Sequence, residues 1–259
     1  MNIAVCIKQV PSTETRIRVS TQTGFVDTSD AEWVINPYDE YALETALRLK
    51  EQLGAATITA VSLGPDRAKA ALKTALATGA DSAVHLWDAA FEGLDALGTG
   101  RALAVAVKRA PFDLVLCGKQ AIDDDMAAVP QAVAHFLGIP HVAVVAEAHF
   151  EGTNVTAHRE VEGATEVVEL GLPCLLTIQK GKFEPRLPTL KGMMAAKKKE
   201  IPTLGAADLG LDASALTRGL LPVGDRLPPG RKPGRVIEGD PGAAVNELVR
   251  VLREEAKVV

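Results

Sequence analysis

The strongest constraint on this chain is a rhythm. From Asn2 to Leu137, short apolar runs alternate with longer stretches whose apolar residues recur at helical spacing. Asn2–Lys8, Thr57–Leu63, Ser82–Trp87 and Asp113–Cys117 read as buried strands. The first helix has a clear start: Asn36 as cap, Pro37 in the first position, Asp39 and Glu40 at the positive end of the dipole. Ala42, Leu43, Ala46, Leu47 and Leu53 form its apolar stripe, and Gly54 ends it. Further helices are predicted between Gly64-Pro65 and Gly79, over Thr99–Arg109 and over Ala127–Leu137. Strands alternating with helices of this length predict an α/β fold with a doubly wound, mostly parallel sheet and right-handed crossovers.

The rhythm changes after Pro140. His141–Ala148, Asn154–Arg159, Glu166–Leu170 and Cys174–Ile178 are strand-like runs with short turns, read as a meander that adds an antiparallel section. A short strand is also expected at Arg16–Val19. From Gly181 onward proline and glycine are dense and the periodicity fades, apart from a helix from Gly242 to about Lys257. The organisation expected is therefore an α/β domain over 1–180, a distinct segment over 181–200 and an extended C-terminal arm over 201–259.

Composition removes several classes of function. The net charge of −5 argues against nucleic acid as the main partner. No apolar run has the roughly 18 residues of a membrane span and no signal-peptide pattern is present, so a cytoplasmic chain without membrane insertion is expected. Cys6, Cys117 and Cys174 sit singly in apolar runs, the pattern of buried free thiols. The five histidines, His85, His135, His141, His149 and His158, lack metal-ligand spacing, and they read as surface or strand residues. No G-x-S-x-G, H-E-x-x-H or Walker pattern occurs, so no catalytic or metal residue is assigned.

Two stretches remain as candidate sites. In open parallel sheets ligands bind beyond the carboxyl ends of the strands, where the strand order reverses. Gln9–Thr13, Ser62–Pro65, the approach to Asn36-Pro37-Tyr38-Asp39 and Gly118-Lys-Gln-Ala-Ile-Asp-Asp-Asp125 leave such ends; the last leads into a helix, whose N-terminus suits a phosphate. At least one of its three aspartates is expected to cap that helix. The second stretch, Lys182–Lys199, carries six basic residues and one acidic, with Leu187, Leu190, Met193 and Met194 among them. Apolar residues ringed by charge suit a docking surface, and methionines adapt to partner shape.

The same residues resemble a known family. Val5-Cys-Ile-Lys-Gln-Val10, Asn36-Pro-Tyr-Asp39 with its following helix, and Thr74-Ala-Leu-Ala-Thr-Gly-Ala-Asp81 occur in order. Gly118–Asp125, Arg159-Glu-Val-Glu-Gly163, Pro173-Cys-Leu-Leu-Thr177, Glu184-Pro-Arg186 and Ala196-Lys-Lys-Lys199 follow them. Over nearly its whole length the chain resembles the small (β) subunit of electron-transfer flavoproteins.

That resemblance implies a nucleotide-alpha-hydrolase-like, Rossmann-like domain that holds AMP, and a larger (α) subunit that shares one FAD with it. It implies an electron carrier rather than an enzyme, docking acyl-CoA-type dehydrogenases and passing electrons toward a quinone oxidoreductase. Onto the AMP pocket it maps Cys6, Asn36, Pro37, Tyr38, Asp39, Leu63, Gly118, Gln120, Ala121 and Ile122. The pocket continues through Asp123, Asp124, Asp125, Met126, Ala127, Ala128 and Val129. Tyr38 and the Gln9–Thr13 loop match the small-subunit contacts to the flavin ring. Leu187, Leu190, Met193, Met194, Lys197 and Lys198 match the partner-docking loop, with Leu190 as the inserted leucine. Two alternatives stay open: a bifurcating subunit with a second FAD in place of AMP, and a stand-alone AMP-binding regulatory module. Asp123-Asp124-Asp125-Met126 lacks the glycine of the bifurcating pattern and resembles the AMP type.

Overall fold

The apolar runs do become strands. A computed structural model of the chain describes residues 1–216, 218–231 and 233–259. Its strands are β1 (Asn2–Cys6), β2 (Gln9–Pro11), β3 (Trp33–Ile35), β4 (Thr57–Leu63), β5 (Ser82–Leu86) and β6 (Leu114–Gly118). They continue as β7 (His141–Glu151), β8 (Asn154–Val161), β9 (Ala164–Gly171), β10 (Cys174–Ile178) and β11 (Thr203–Leu204). The helices are α1 (Pro37–Leu53), α2 (Lys69–Thr78), α3 (Ala96–Lys108), α4 (Val129–Leu137), α5 (Leu190–Ala196) and α6 (Pro241–Arg250).

Nine strands form one sheet in the order β11-β5-β4-β1-β6-β10-β7-β8-β9. Every pairing from β11 to β7 is parallel, and β7-β8-β9 is antiparallel. The expected mixture of a parallel sheet and an antiparallel section is therefore present. Alternate residues of the strands feed two cores. Ile3, Val5, Ile58 and Leu116 pack with residues of α1 and α2 on one face. Ala4, Cys6, Val61 and Val115 pack with residues of α3 and α4 on the other. Small side chains allow close helix packing: a Cβ on Gly100 of α3 would come within 3.2 Å of the α4 backbone. Gly54 ends α1 as expected, with φ of 68° and its N–H donated to the Lys50 carbonyl.

The structure departs from the sequence reading in four places. Cys174–Ile178 is not the last strand of a meander; β10 inserts between β6 and β7, parallel to both, and each of its residues is buried. Arg16–Val19 forms no strand, only an isolated bridge from Val19 to Val26. The small β2-β3 ribbon was not foreseen, because three residues are too few to show a period. Residues 201–216 are packed into the α/β unit: β11 pairs with β5, while Ala206, Leu209 and Leu216 are buried in the second core.

Two compact units result. The larger comprises 1–17 and 27–223, and the smaller comprises 18–26 and 224–259. In the smaller unit Asp225 links to the 24–26 turn, donating its N–H to the Gly24 carbonyl and accepting from Val26 N. Its helix α6, capped by Asp240, is followed by a π-helical turn over Val251–Glu255. No residue of α6 is buried, and Val245, Leu248 and Val249 are exposed on it. Among the described residues no helix is long and apolar enough to cross a membrane.

The central strand β6 should contribute strongly to stability, since it is buried along its whole length. Leu116→Ala should cost about 2–5 kcal/mol in urea unfolding, because a fully buried Leu leaves a cavity that close neighbours cannot fill. A loss below about 1 kcal/mol would contradict this packing.

Candidate functional site

The strand order reverses beside β1. The chain runs from β1 to β4 on one side and returns to β6 on the other. A reversal of this kind opens a crevice beyond the carboxyl ends of the two strands. Cys6 closes β1 and Gly118 closes β6, so the candidate loop after Gly118 begins at the crevice.

Asp39, from the first turn of α1, holds this point together. Its carboxylate is buried; Oδ2 accepts the Lys8 N–H at 2.7 Å and Oδ1 accepts the Gly118 N–H at 2.9 Å. One side chain thus satisfies amides just past β1 and at the end of β6. A Cβ on Gly118 would collide with Asp39 Oδ1 and come within 2.7 Å of the Tyr38 carbonyl carbon, so only glycine permits this approach. Burial pushes the Asp39 carboxyl up to about 7, although the bonds from Lys8, Asn36 and Gly118 pull the other way.

Asn36 does not cap α1 with its side chain. Its backbone carbonyl already takes the Asp39 and Glu40 amides, at 2.8 and 3.2 Å. The side chain is free to tie down the Gly118 loop instead. Nδ2 donates to the Gln120 carbonyl at 2.9 Å, and Oδ1 accepts the Ile122 N–H at 3.1 Å.

The three aspartates depart from expectation as well. None caps α4, whose N-cap is Ala128 with no side-chain bond. Asp123 and Asp124 accept from Lys8 Nζ at 2.7 and 3.0 Å. Asp124 also accepts the Met126 N–H, and Asp125 accepts from Gln120 Nε2 at 2.6 Å. The loop is thus braced against Lys8, just past β1, and the positive end of α4 stays without a carboxylate cap. Asp125 and Ala127 adopt φ of 50° and 49°, a region that costs energy for residues with a Cβ and often marks functional loops. Lys8 was missed as a site residue; its signal is a lone lysine ending an apolar strand. Burial opposes its charge, but the two carboxylates outweigh that and hold its pKa above the ordinary value.

The floor of the crevice is apolar. Cys6 and Cys117 belong to one buried cluster, with Leu63 and Val129 packed against it. Tyr38 is half-buried, and the Lys119 ammonium lies 5.3 Å from its ring centroid. Pro37 sits at the start of α1, Ala121 and Ala128 are half-buried, and Met126 is exposed. The thiols are free and buried. Bonding to Cys6 and burial push the Cys117 thiol well up, and burial pushes Cys174 to about 12. Both stay protonated at neutral pH, so neither is an activated nucleophile. Beside the crevice, Arg67 donates to Gln9 Oε1 at 2.9 Å and stacks 3.3 Å from the Trp33 ring centroid. Nothing in the sequence pattern pointed to that pair.

The second candidate surface is a different structure. Leu187, Leu190, Met193 and Met194 are exposed, Leu187 at 84% and Leu190 at 73%. Leu190 opens α5, which Thr189 caps through Gly192 N–H. Three of the six basic residues have internal partners: Lys182 pairs with Glu147, Arg186 with Glu44 and Glu51, and Lys199 donates to the Ala80 and Asp81 carbonyls. Lys191, Lys197 and Lys198 are exposed.

Asp39 gives a pH test. Its folded pKa lies above its unfolded value, so the folded chain keeps a proton that the unfolded chain releases. Its contribution therefore falls as pH rises from about 4 to about 7, by at most about 1.4 kcal/mol per unit. Asp39→Asn loses an acceptor and is destabilised throughout, but the stability gap to wild type should narrow across this window. Parallel stability–pH curves for the two proteins would contradict the assignment.

Comparison with known proteins agrees with this fold. Residues 23–209 match the family described as electron transfer flavoprotein domain. The chain is 40% identical to the electron transfer flavoprotein subunit beta of Bacillus subtilis, with both proteins covered completely. It is 39% identical to the protein of that name from Thermoanaerobacterium thermosaccharolyticum, covering 97% of this chain and 98% of the relative. The namesake from Megasphaera elsdenii is 40% identical, with 92% of each chain covered. The chain belongs to the electron transfer flavoprotein family, as a small (β) subunit.

Proposed function

We propose that this chain pairs with a larger (α) subunit and carries electrons from acyl-CoA-type dehydrogenases toward a quinone oxidoreductase, in the cytoplasm. The observation that carries this reading is the likeness to β subunits along the whole chain. The chain's own part is to hold AMP in the crevice, to contribute to an FAD site shared with the larger subunit, and to dock the donor.

The crevice suits a nucleotide monophosphate on physical grounds. An uncapped helix N-terminus offers amide donors and partial positive charge to a phosphate. Pro130 removes one of those donors, so Val129 and Gln131 would supply the amides. Cys6, Leu63 and Val129 provide an apolar floor, and the Asn36 bonds fix the Gln120–Ile122 backbone that would flank the base. FAD, when bound, supplies the redox chemistry; Tyr38 and the segment Gln9–Thr13, which begins with β2, would face its ring. The exposed apolar residues of α6 suit burial against the larger subunit.

The docking row supports a transient partner. Leu190 is an exposed anchor at a helix start, with Lys191, Lys197 and Lys198 able to steer an acidic surface toward it.

Co-expression with the larger subunit should give a yellow heterodimer with one FAD and one AMP. Two flavins per heterodimer would replace the AMP reading with the bifurcating one, and a colourless monomer carrying AMP would favour a regulatory module. In the heterodimer, Leu190→Ala should keep its flavin content. It should raise the KM for reduced acyl-CoA dehydrogenase on the order of tenfold. Unchanged transfer kinetics would remove Leu190 from the docking role.

A further inference from the structure

The docking row stands on a segment that apolar packing alone does not hold. A groove of about 300 Å³ is lined by Leu43, Thr74 and Thr78 from α1 and α2, and by Pro185, Leu187 and Pro188 from the segment. What joins the two is polar. Along α1, Tyr41, Glu44, Arg48 and Glu51 recur at helical spacing, and each meets the segment 183–186 directly. The Tyr41 hydroxyl donates to Glu184 at 3.0 Å. The Arg48 guanidinium lies 3.8 Å from the Phe183 ring centroid. Arg186 answers both glutamates. Its Nε and Nη2 donate to Glu44 at 2.8 and 3.1 Å, its backbone N–H to Glu44 at 3.2 Å, and Nη1 and Nη2 to Glu51.

The depth of Glu44 makes this more than a surface ion pair. Its side chain is only 4% exposed, on the polar flank of α1 that meets the segment. A carboxylate there is costly unless it is paired and hydrogen-bonded. Arg186 and Arg48 meet that need, and outweigh burial to hold its pKa below the ordinary value. The far end of the segment is fixed independently. A Cβ on Gly192 would collide with the Ala77 carbonyl oxygen, and Lys199 is bonded to the Ala80 and Asp81 carbonyls.

We propose that Arg186 is the positioning residue of the docking surface: by clasping the polar stripe of α1, it fixes where Leu187 and Leu190 stand before any partner arrives. The inference rests on the docking reading above. Its consequence is kinetic. A pre-placed row loses little conformational freedom on binding, so loosening it weakens association without touching electron transfer inside the complex.

The test uses the flavin-loaded heterodimer and an acyl-CoA dehydrogenase reduced with its acyl-CoA. Arg186→Gln should raise the KM for the dehydrogenase on the order of tenfold, with kcat and flavin content unchanged and faster hydrogen exchange over 183–190. Arg186→Lys keeps the charge but loses the fork, so it should fall between. Glu51→Gln, at an exposed carboxylate, should shift KM the same way by less. A wild-type KM in Arg186→Gln, or a fall in kcat at constant KM, overturns the proposal. Should Arg186→Gln fail to fold, Glu51→Gln decides, and a wild-type KM there overturns it. Leu190→Ala separates the two readings: if it raises KM and the Arg186 variants do not, the clasp is wrong and the docking surface stands.

Discussion

The Asp39 carboxylate sets the geometry on which the site depends. It bonds the Gly118 amide at the end of β6 and the Lys8 amide just past β1, and it arrives on the first turn of α1. Two neighbouring strands and a helix are thereby fixed at the point where the sheet reverses. The arrangement makes its own demands: glycine at 118, and a free Asn36 side chain to hold the loop that follows. The cost is a carboxylate in a low-dielectric place, visible in its upward-shifted pKa. Glu44, on the same helix, is equally buried and has the opposite fate. It has guanidinium partners and Asp39 has backbone amides, so Arg186 and Arg48 draw its pKa down despite burial. One helix thus carries two buried acids, one serving the crevice and the other the exposed segment.

Much of the fold was legible because strand and helix periods differ. The alternation through Leu137 predicted the parallel sheet, and the glycines marked helix ends. The place of β10 was not legible. An apolar run shows that it is buried but not between which neighbours, and here it threads between β6 and β7. Residues 201–216 were read as part of the arm because two strand residues and three buried apolar side chains make no period.

At the site, the loop after Gly118 was legible from its position after an apolar strand. The role of Asn36 was not, since an N-cap and a loop tether look alike in sequence; what separates them is which amides the backbone carbonyl has already taken. The exposed apolar row could be read from apolar residues set among charges. Its support could not, because Arg186 meets glutamates 142 and 135 residues earlier. The same internal pairing tempers the charge argument: Lys182, Arg186 and Lys199 contribute to architecture, and Lys191, Lys197 and Lys198 are the exposed ones.

The helix α6 has a consequence for how the protein is kept in the cell. None of its side chains is buried; among the described residues it is held by its Asp240 cap and by ion pairs among Arg235, Glu247, Arg250, Glu254 and Glu255. Surface pairs of that kind contribute weakly. Its order then depends on whatever covers Val245, Leu248 and Val249. A chain made in excess of its cover would present an apolar, easily opened terminus to proteases.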